Sequence, residues 1–201
     1  MHKRVLMTAA GRKLMLNARF KNNELLYMHE VDALKANLEY VESHELPNRA
    51  IHTGYLKDGK RHGPGISEYS HGLKITANWE HDAAMGEVEC VWPDKSIYRG
   101  EFEGGFRHGY GTMTQMDGSV YEGYFENGHR HGKGKLTFKN GASHEGDWRM
   151  NQFHGYGVTT YTNGSKHEGL VIDGKKNGRV IYTAVDGTKR EEEWSVGVQI
   201  R

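Results

Sequence analysis

Cysteine and proline are scarce in this chain, which has one cysteine and three prolines among its 201 residues. A single thiol, Cys90, cannot form an internal disulfide or supply a paired-cysteine zinc site, so a reducing compartment is the default expectation. No run of about 18 apolar residues occurs, which argues against a membrane-spanning helix and predicts a soluble protein. Basic and acidic residues nearly balance, 27 against 26, so the total charge gives no general attraction to nucleic acid.

Charge is distributed unevenly along the chain and divides it into three zones. Residues 1–23 have six basic residues and no acidic one, whereas residues 24–51 have six acidic and two basic residues. The zones predict a basic N-terminal arm (1–23), an amphipathic helix with its linker (24–51) and a long C-terminal region (52–201).

The C-terminal region repeats with a period of 23 residues. The unit starts are His52, Ile75, Tyr98, Tyr121, His144, His167 and Arg190. The fourth residue after each start is always apolar: Leu56, Trp79, Phe102, Phe125, Trp148, Val171 and Trp194. The eleventh residue after each of the first six starts is glycine, which gives an array of six full repeats and a terminal half repeat.

Each unit has the pattern of two strands and two turns. Tyr121, Gly123 and Phe125 alternate with polar residues, so they are predicted to share one face of a strand. Pairs such as Asp117-Gly118 predict two-residue hairpin turns between repeats, and residues 127–132 predict a wider turn within a repeat. The strand glycines leave room for a neighbouring aromatic ring to lie over the backbone.

The spacing YxGxFxxGxxHGxG, with Asp-Gly or Asn-Gly near the end of the unit, resembles the MORN (membrane occupation and recognition nexus) repeat over residues 52–201. The resemblance implies a mainly β fold, an elongated single-layer antiparallel array of β-hairpins. The second repeat departs from the pattern at Ala77 and Lys95, and the last repeat has Glu192 in place of glycine. Residues 191–193 are all glutamate, which on an exposed edge strand would discourage further strand pairing.

A short N-terminal helical segment is predicted before the array. Apolar residues recur at helical spacing, and Pro47 follows the end of the pattern. This stripe predicts an amphipathic helix over residues 24–44, either packed on the first repeats or acting as a docking helix for a partner: Tyr27, Val31, Leu34, Leu38 and Val41. Residues 1–23 are compatible with a hairpin, a helix or a targeting arm of mitochondrial composition.

The sequence predicts no catalytic site, no metal site and no cofactor. His62, His108 and His131 occupy equivalent positions, but strand spacing places such equivalents about 10 Å apart, too far to share one zinc ion. No nucleotide-binding loop, nucleophile elbow or zinc-protease motif is present in the 201 residues. We therefore expect a protein that is not an enzyme.

The preferred functional hypothesis is a protein-protein interaction scaffold or structural subunit of a larger assembly. Aromatic residues on one sheet face are the candidate partner-binding residues: Trp79, Phe102, Phe125 and Trp148. The MORN resemblance implies assembly or tethering roles, with a location in the cytoplasm, cytoskeleton or cilium/flagellum. The mitochondrion is a minor alternative. Protein partners are expected and nucleic acid is not, and the oligomeric state stays open.

The alternative hypothesis is a peripheral binder of anionic, phosphoinositide-type membranes. Basic residues recur at equivalent positions of the predicted turns and are the candidate lipid contacts, together with the basic arm: Lys60, Arg61, Arg107, Arg130, Lys175 and Lys176.

Overall fold

The computed structural model describes residues 37–201, and all the regular structure in this range is β-strand. These residues form an open antiparallel sheet in which the strand order follows the chain, so the expected mainly β fold is confirmed. The fifteen strands of the described range are β1 (Glu39–Glu45), β2 (Ile51–Lys57), β3 (Lys60–Glu68), β4 (Lys74–Glu80), β5 (Ala83–Val91), β6 (Ile97–Glu103), β7 (Phe106–Thr114), β8 (Val120–Glu126), β9 (His129–Thr137), β10 (Ser143–Arg149), β11 (Gln152–Thr160), β12 (Lys166–Ile172), β13 (Lys175–Thr183), β14 (Lys189–Ser195) and β15 (Val198–Gln199). The chain divides into two compact units after Gly105, and the second unit consists of Phe106–Arg201.

The predicted N-terminal helix is wrong in its last residues, because Glu39–Glu45 form strand β1. This strand pairs antiparallel with β2, and the rings of Tyr40 and Tyr55 meet edge-on at 5.5 Å. The backbone of β2 offers a row of hydrogen-bonding groups, and pairing with it outweighs the local helical spacing. Leu38 and Val41 therefore belong to the sheet region.

The rest of the predicted docking helix lies outside the described residues. Its members there are Tyr27, Val31 and Leu34, and the basic arm (1–23) lies outside the described range as well.

The predicted turns are wrong: tight turns were expected between repeats and a wider turn within a repeat, and the structure has the reverse. Within a repeat the turn is the tight one: Asn127 and Gly128, with φ of 48° and 83°, connect β8 to β9 directly. Between repeats the turn is wider, since Gly118 N donates to Gln115 O at 2.9 Å. The side chain of Asp117 accepts the N–H of Ser119 at 2.8 Å, and this bond favours the wider geometry for an Asp-Gly pair.

The hairpin β8–β9 has a β-bulge that the sequence analysis did not predict, and β2–β3, β4–β5, β10–β11 and β12–β13 have the same kind of register shift. Gly123 pairs with Gly134 and Phe125 with Arg130, so β9 advances four residues while β8 advances two. Gly132 lies in this excess and has a φ of 60°, a conformation that favours glycine. The next pairing, β9 with β10, is regular, with Gly132 opposite Trp148.

The predicted alternation of faces is confirmed in β8. Tyr121, Gly123 and Phe125 are buried, whereas Glu122 and Tyr124 are exposed. A Cβ atom on Gly134 would overlap the ring of Tyr121, so the expected passage of a ring over a strand glycine is also confirmed. The core of this region is thus a layer of side chains on one face of the sheet, which we call the ring face.

Candidate functional site

The ring face of the second unit is a continuous cluster of aromatic side chains. The ring of Tyr121 lies 5.1 Å from that of Phe125 and 5.0 Å from that of Trp148, both edge-on. Tyr121 Oη donates to the carbonyl of Tyr124 at 2.9 Å, and Trp148 Nε1 donates to the carbonyl of Gly134 at the same distance. Burial raises the pKa of the Tyr121 hydroxyl, so it stays a neutral donor.

Basic side chains cover these rings. The guanidinium carbon of Arg130 lies 4.6 Å from the centre of the Trp148 ring, and that of Arg107 lies 5.3 Å from the Phe125 ring. Near the end of the chain, Lys176 Nζ lies 3.5 Å from the ring of Trp194. These residues occupy the same position in their repeats, so cation–π contact with the following repeat is a regular feature of this face.

The candidate partner-binding residues lie on the ring faces of their own units, and most are buried. The exposed fractions are 2% for Trp79, 4% for Phe125 and 3% for Trp148, whereas Phe102 is half-buried. So little free surface leaves three of the four side chains almost nothing for a partner to touch directly. Their role as binding residues stays a prediction.

The candidate lipid-contact residues divide into two groups. Arg61 is buried, lies 3.8 Å from the Trp79 ring centre and pairs with Asp82 at 3.1 Å. Arg107, Arg130 and Lys176 are half-buried against rings, as described above. Lys60 and Lys175 are exposed at the starts of β3 and β13. Lipid contact by this set stays a prediction.

Two histidines at repeat starts are buried and neutral. Burial lowers the pKa of both His52 and His144 from 6.5 to about 4. Nδ1 of His52 is hydrogen-bonded to Ser67 Oγ at 3.0 Å, and Nδ1 of His144 to Thr159 Oγ1 at 2.9 Å. Over residues 37–201, no group of three or more His, Cys, Asp or Glu side chains is placed to hold a metal ion.

Glu192 is buried, contrary to the expected exposed edge. Its carboxylate accepts bonds from Arg190 Nε and Trp194 Nε1, each at 2.9 Å, and lies 3.0 Å from His167 Nε2. Burial opposes ionisation, but these contacts together lower the pKa of Glu192. Strand β15 also pairs with β14 at Trp194, so β14 is not a bare edge. Glu192 thus occupies the position that is glycine in most repeats, and its carboxylate connects β14 to His167 on β12.

The opposite face of the second unit, which we call the outer face, has half-exposed aromatic and apolar side chains. The exposed fractions are 52% for Tyr124, 54% for Tyr156 and 40% for Leu170. The rings of Tyr110 and Tyr124 lie 5.5 Å apart across the β7–β8 pair. Tyr156 lies opposite Leu170 across β11 and β12.

Carboxylates hold two of these tyrosines in place. Tyr110 Oη donates to Glu122 Oε1 at 2.9 Å, and Tyr156 Oη donates to Glu168 Oε1 at 3.0 Å. The sequence analysis placed polar residues on this face and proposed no candidate site from its tyrosines. A signal was present, since Tyr110 and Tyr156 lie 46 residues apart, which is two repeats.

Ion pairs fill the space between these tyrosines on the outer face. Lys133 pairs with Asp147 at 2.7 Å, and Lys135 pairs with Glu145 at 3.4 Å. The outer face thus alternates between apolar pairs and ion pairs along the sheet.

Comparison with known families identifies the repeat. The MORN repeat matches at residues 52–73, 98–120, 121–143 and 144–166, and these segments begin at four of the unit starts. The chain is a MORN-repeat protein, as the sequence analysis expected. A comparison with curated proteins gave no significant match.

Solved structures resemble the chain only weakly. The SAS-4 (dCPAP) TCP domain of Drosophila melanogaster, solved with a proline-rich motif of Ana2, is 17% identical, with a TM-score of 0.39 over 65% of this chain and 78% of that one. A wild-type domain of CPAP from Danio rerio is 13% identical, with a TM-score of 0.42 over 75% of this chain and 76% of that one. Similarity at this level carries no argument about function.

No helix long and apolar enough to cross a membrane occurs in the described part of the chain.

Proposed function

We propose that the protein is a non-enzymatic interaction scaffold, a structural subunit of a larger assembly, which binds protein partners through the outer face of residues 106–201. One observation carries this proposal. The ring face is covered by the protein's own cations, whereas the outer face leaves Tyr124 and Tyr156 more than half exposed at fixed positions.

The outer-face tyrosines have the properties of binding anchors. Tyrosine is enriched among the residues that contribute most to protein interfaces, because it combines a large apolar ring with a polar end. Tyr156 is held by its bond to Glu168, and Tyr124 packs edge-on against Tyr110. Side chains that are already ordered lose less conformational entropy when a partner binds.

The ring face is a second surface for the same function. Of its four candidate anchors, Phe102 has the most accessible ring, so a partner on the ring face of the first unit would contact Phe102 rather than the buried Trp79.

The proposed setting is a cytoskeletal or ciliary assembly. It is supported by the MORN repeats, because the family resemblance implies assembly and tethering roles in such structures. Fluorescence microscopy of the tagged chain in its source cell tests the setting, and a diffuse signal or a mitochondrial one would contradict it.

Differential affinity purification tests the outer face. The wild-type chain is compared with the double variant Tyr124→Ala/Tyr156→Ala and with a control, Met116→Ala/Val185→Ala, which removes exposed apolar side chains from turns of the same unit. We expect the outer-face variant to lose at least one partner that the wild type and the control retain, with all three thermal melts unchanged. Equal partner sets for all three proteins would reject this surface.

A further inference from the structure

The outer face of the second unit contains two equivalent sites separated by two repeats. Glu122 lies beside Tyr110 and Tyr124, and Glu168 occupies the corresponding place beside Tyr156 and Leu170. Each site therefore combines a carboxylate, a tyrosine hydroxyl bonded to it and a second large side chain. We call them the Tyr–Glu sites.

The carboxylates of these sites differ from their neighbours in the same row. Equivalent glutamates of alternate repeats are compensated, Glu145 by Lys135 at 3.4 Å and Glu191 by Arg179 at 2.7 Å. Within residues 37–201, Glu122 and Glu168 accept tyrosine hydroxyls and make no ion pair. The row thus has a carboxylate without an ion pair at every second repeat, and Lys135, which lies opposite both Glu122 and Glu145, pairs with Glu145.

Each site has the chemistry that receives an arginine side chain. A guanidinium group can pair with the carboxylate and at the same time lie on the face of a half-exposed tyrosine ring, as Tyr124 provides at one site and Tyr156 at the other. An acidic partner segment would be repelled at both positions.

The distance between the two Tyr–Glu sites favours an extended conformation for a partner segment that occupies both. Glu122 is on β8 and Glu168 on β12, so four strand spacings of about 4.8 Å separate them by about 19 Å. An extended segment covers this distance in about six residues, and an even number places both side chains on the same side. A helix would need about 13 residues, which turns the second side chain to a different face.

We propose that the two Tyr–Glu sites bind an extended basic segment of a partner protein, with arginines about six residues apart. This inference rests on the proposed interaction function and names the chemistry of the partner. The neighbouring ion pairs, such as Lys133 with Asp147, act as a neutral spacer between the two arginine sites.

Fluorescence anisotropy with labelled synthetic peptides tests the inference on the full chain. The probe is an otherwise Gly/Ser/Leu peptide with two arginines six residues apart; the comparison peptides have two glutamates at those places, or arginines three residues apart. We expect saturable binding of the probe with a Kd below about 1 mM, and at least about fivefold weaker binding of both comparison peptides.

Two matched variants locate the binding. Glu122→Gln/Glu168→Gln removes the two charges that make no ion pair, and Glu89→Gln/Glu191→Gln removes the same number of charges at positions where they are already paired. We expect the first variant to bind the probe about tenfold more weakly than the wild type and the second less than about threefold more weakly. Equal losses, or no binding of the probe by the wild type, would overturn the inference.

The same variants separate this inference from the proposed function. If Tyr124→Ala/Tyr156→Ala loses a cellular partner and Glu122→Gln/Glu168→Gln keeps it, the interaction function stands and the basic segment is wrong. If neither variant loses a partner, the proposed function itself fails at this surface. Thermal melts of each variant, expected to match the wild type because all four side chains are exposed, exclude unfolding as the cause.

Discussion

At the scale of single residues, the first position of most repeats has a ring with a hydrogen-bonding end. The bulge leaves Tyr124 without a register partner on β9, and the hydroxyl of Tyr121 donates to its carbonyl. Tyr98 makes the same bond to the carbonyl of Glu101 at 2.8 Å. The side-chain hydroxyl at this position thus donates to a backbone carbonyl whose residue has no register partner on the neighbouring strand.

Tyr121→Phe is expected to lower the free energy of unfolding by about 1–2 kcal/mol. The substitution keeps the ring over Gly134 but leaves the Tyr124 carbonyl without its donor. Urea unfolding measures the change. Tyr124→Phe is the control, because its hydroxyl is on an exposed side chain, and a change there above about 0.5 kcal/mol would point to a cause other than the buried bond.

The buried histidines make stability depend on pH. Folded His144 has a pKa of about 4, whereas the unfolded chain has the ordinary value of 6.5. Between these values the unfolded state binds more protons, so stability is complete above pH 6.5 and falls as the pH drops toward 4. Acid therefore weakens the repeats that begin with histidine.

His144→Tyr is expected to remove part of this acid sensitivity. Tyrosine is native at the equivalent position 121, and Gly157 lies beneath His144 as Gly134 lies beneath Tyr121. Between pH 7.5 and pH 5, the wild type should lose about 2 kcal/mol more stability than the variant in urea unfolding. The same loss in both proteins would show that His144 is protonated in the folded state.

At the scale of the strand pair, glycines decide how closely ring and backbone approach. Gly123 and Gly134 face each other across β8 and β9, and a side chain on either would meet the other strand or the Tyr121 ring. Neither has a positive φ, so space and not backbone conformation requires glycine at these two positions.

Gly134→Ala is expected to destabilise the protein by about 1–3 kcal/mol, because the added methyl group overlaps the ring of Tyr121. Thr137→Ala, an exposed position of the same strand, is the control. Thermal melts report both changes. If Gly134→Ala melts like the control, the ring moves freely and the close approach does not contribute to stability.

The elements were predictable from the sequence to different extents. The 23-residue period and the alternation of Tyr121, Gly123 and Phe125 were enough to predict the strands and their buried face. The turn types were not, because Asn127-Gly128 and Asp117-Gly118 look alike in sequence. The structure distinguishes them by the positive φ of Asn127 and by the bond from Ser119 N to Asp117. Strand β1 was missed because its pairing depends on the edge of β2, which no local pattern reveals.

At the scale of the whole molecule, the aromatic and the basic candidate residues, which were predicted to have separate functions, pack against each other. The aromatic residues were predicted to face a partner, and the basic residues to face lipid. In the structure Arg130 lies on Trp148 and Arg61 on Trp79, so in each unit the protein covers its own rings. Sequence reasoning could place both kinds of residue in the repeat, but it did not pair the basic residue of one repeat with the ring of the next.

Because the pairing between repeats is regular, the number of repeats between two points on the outer face determines the distance between them. Strands β7 to β14 pair in chain order, each with the next, and the register between repeats is the same at Gly111 with Gly123 as at Gly134 with Gly146. A gain or loss of 23 residues within this unit would therefore change the separation of the two Tyr–Glu sites by one step of about 10 Å and leave each site intact. Duplication of such a segment during evolution would therefore change which partner segments fit the two sites while the contacts within each Tyr–Glu site stay the same.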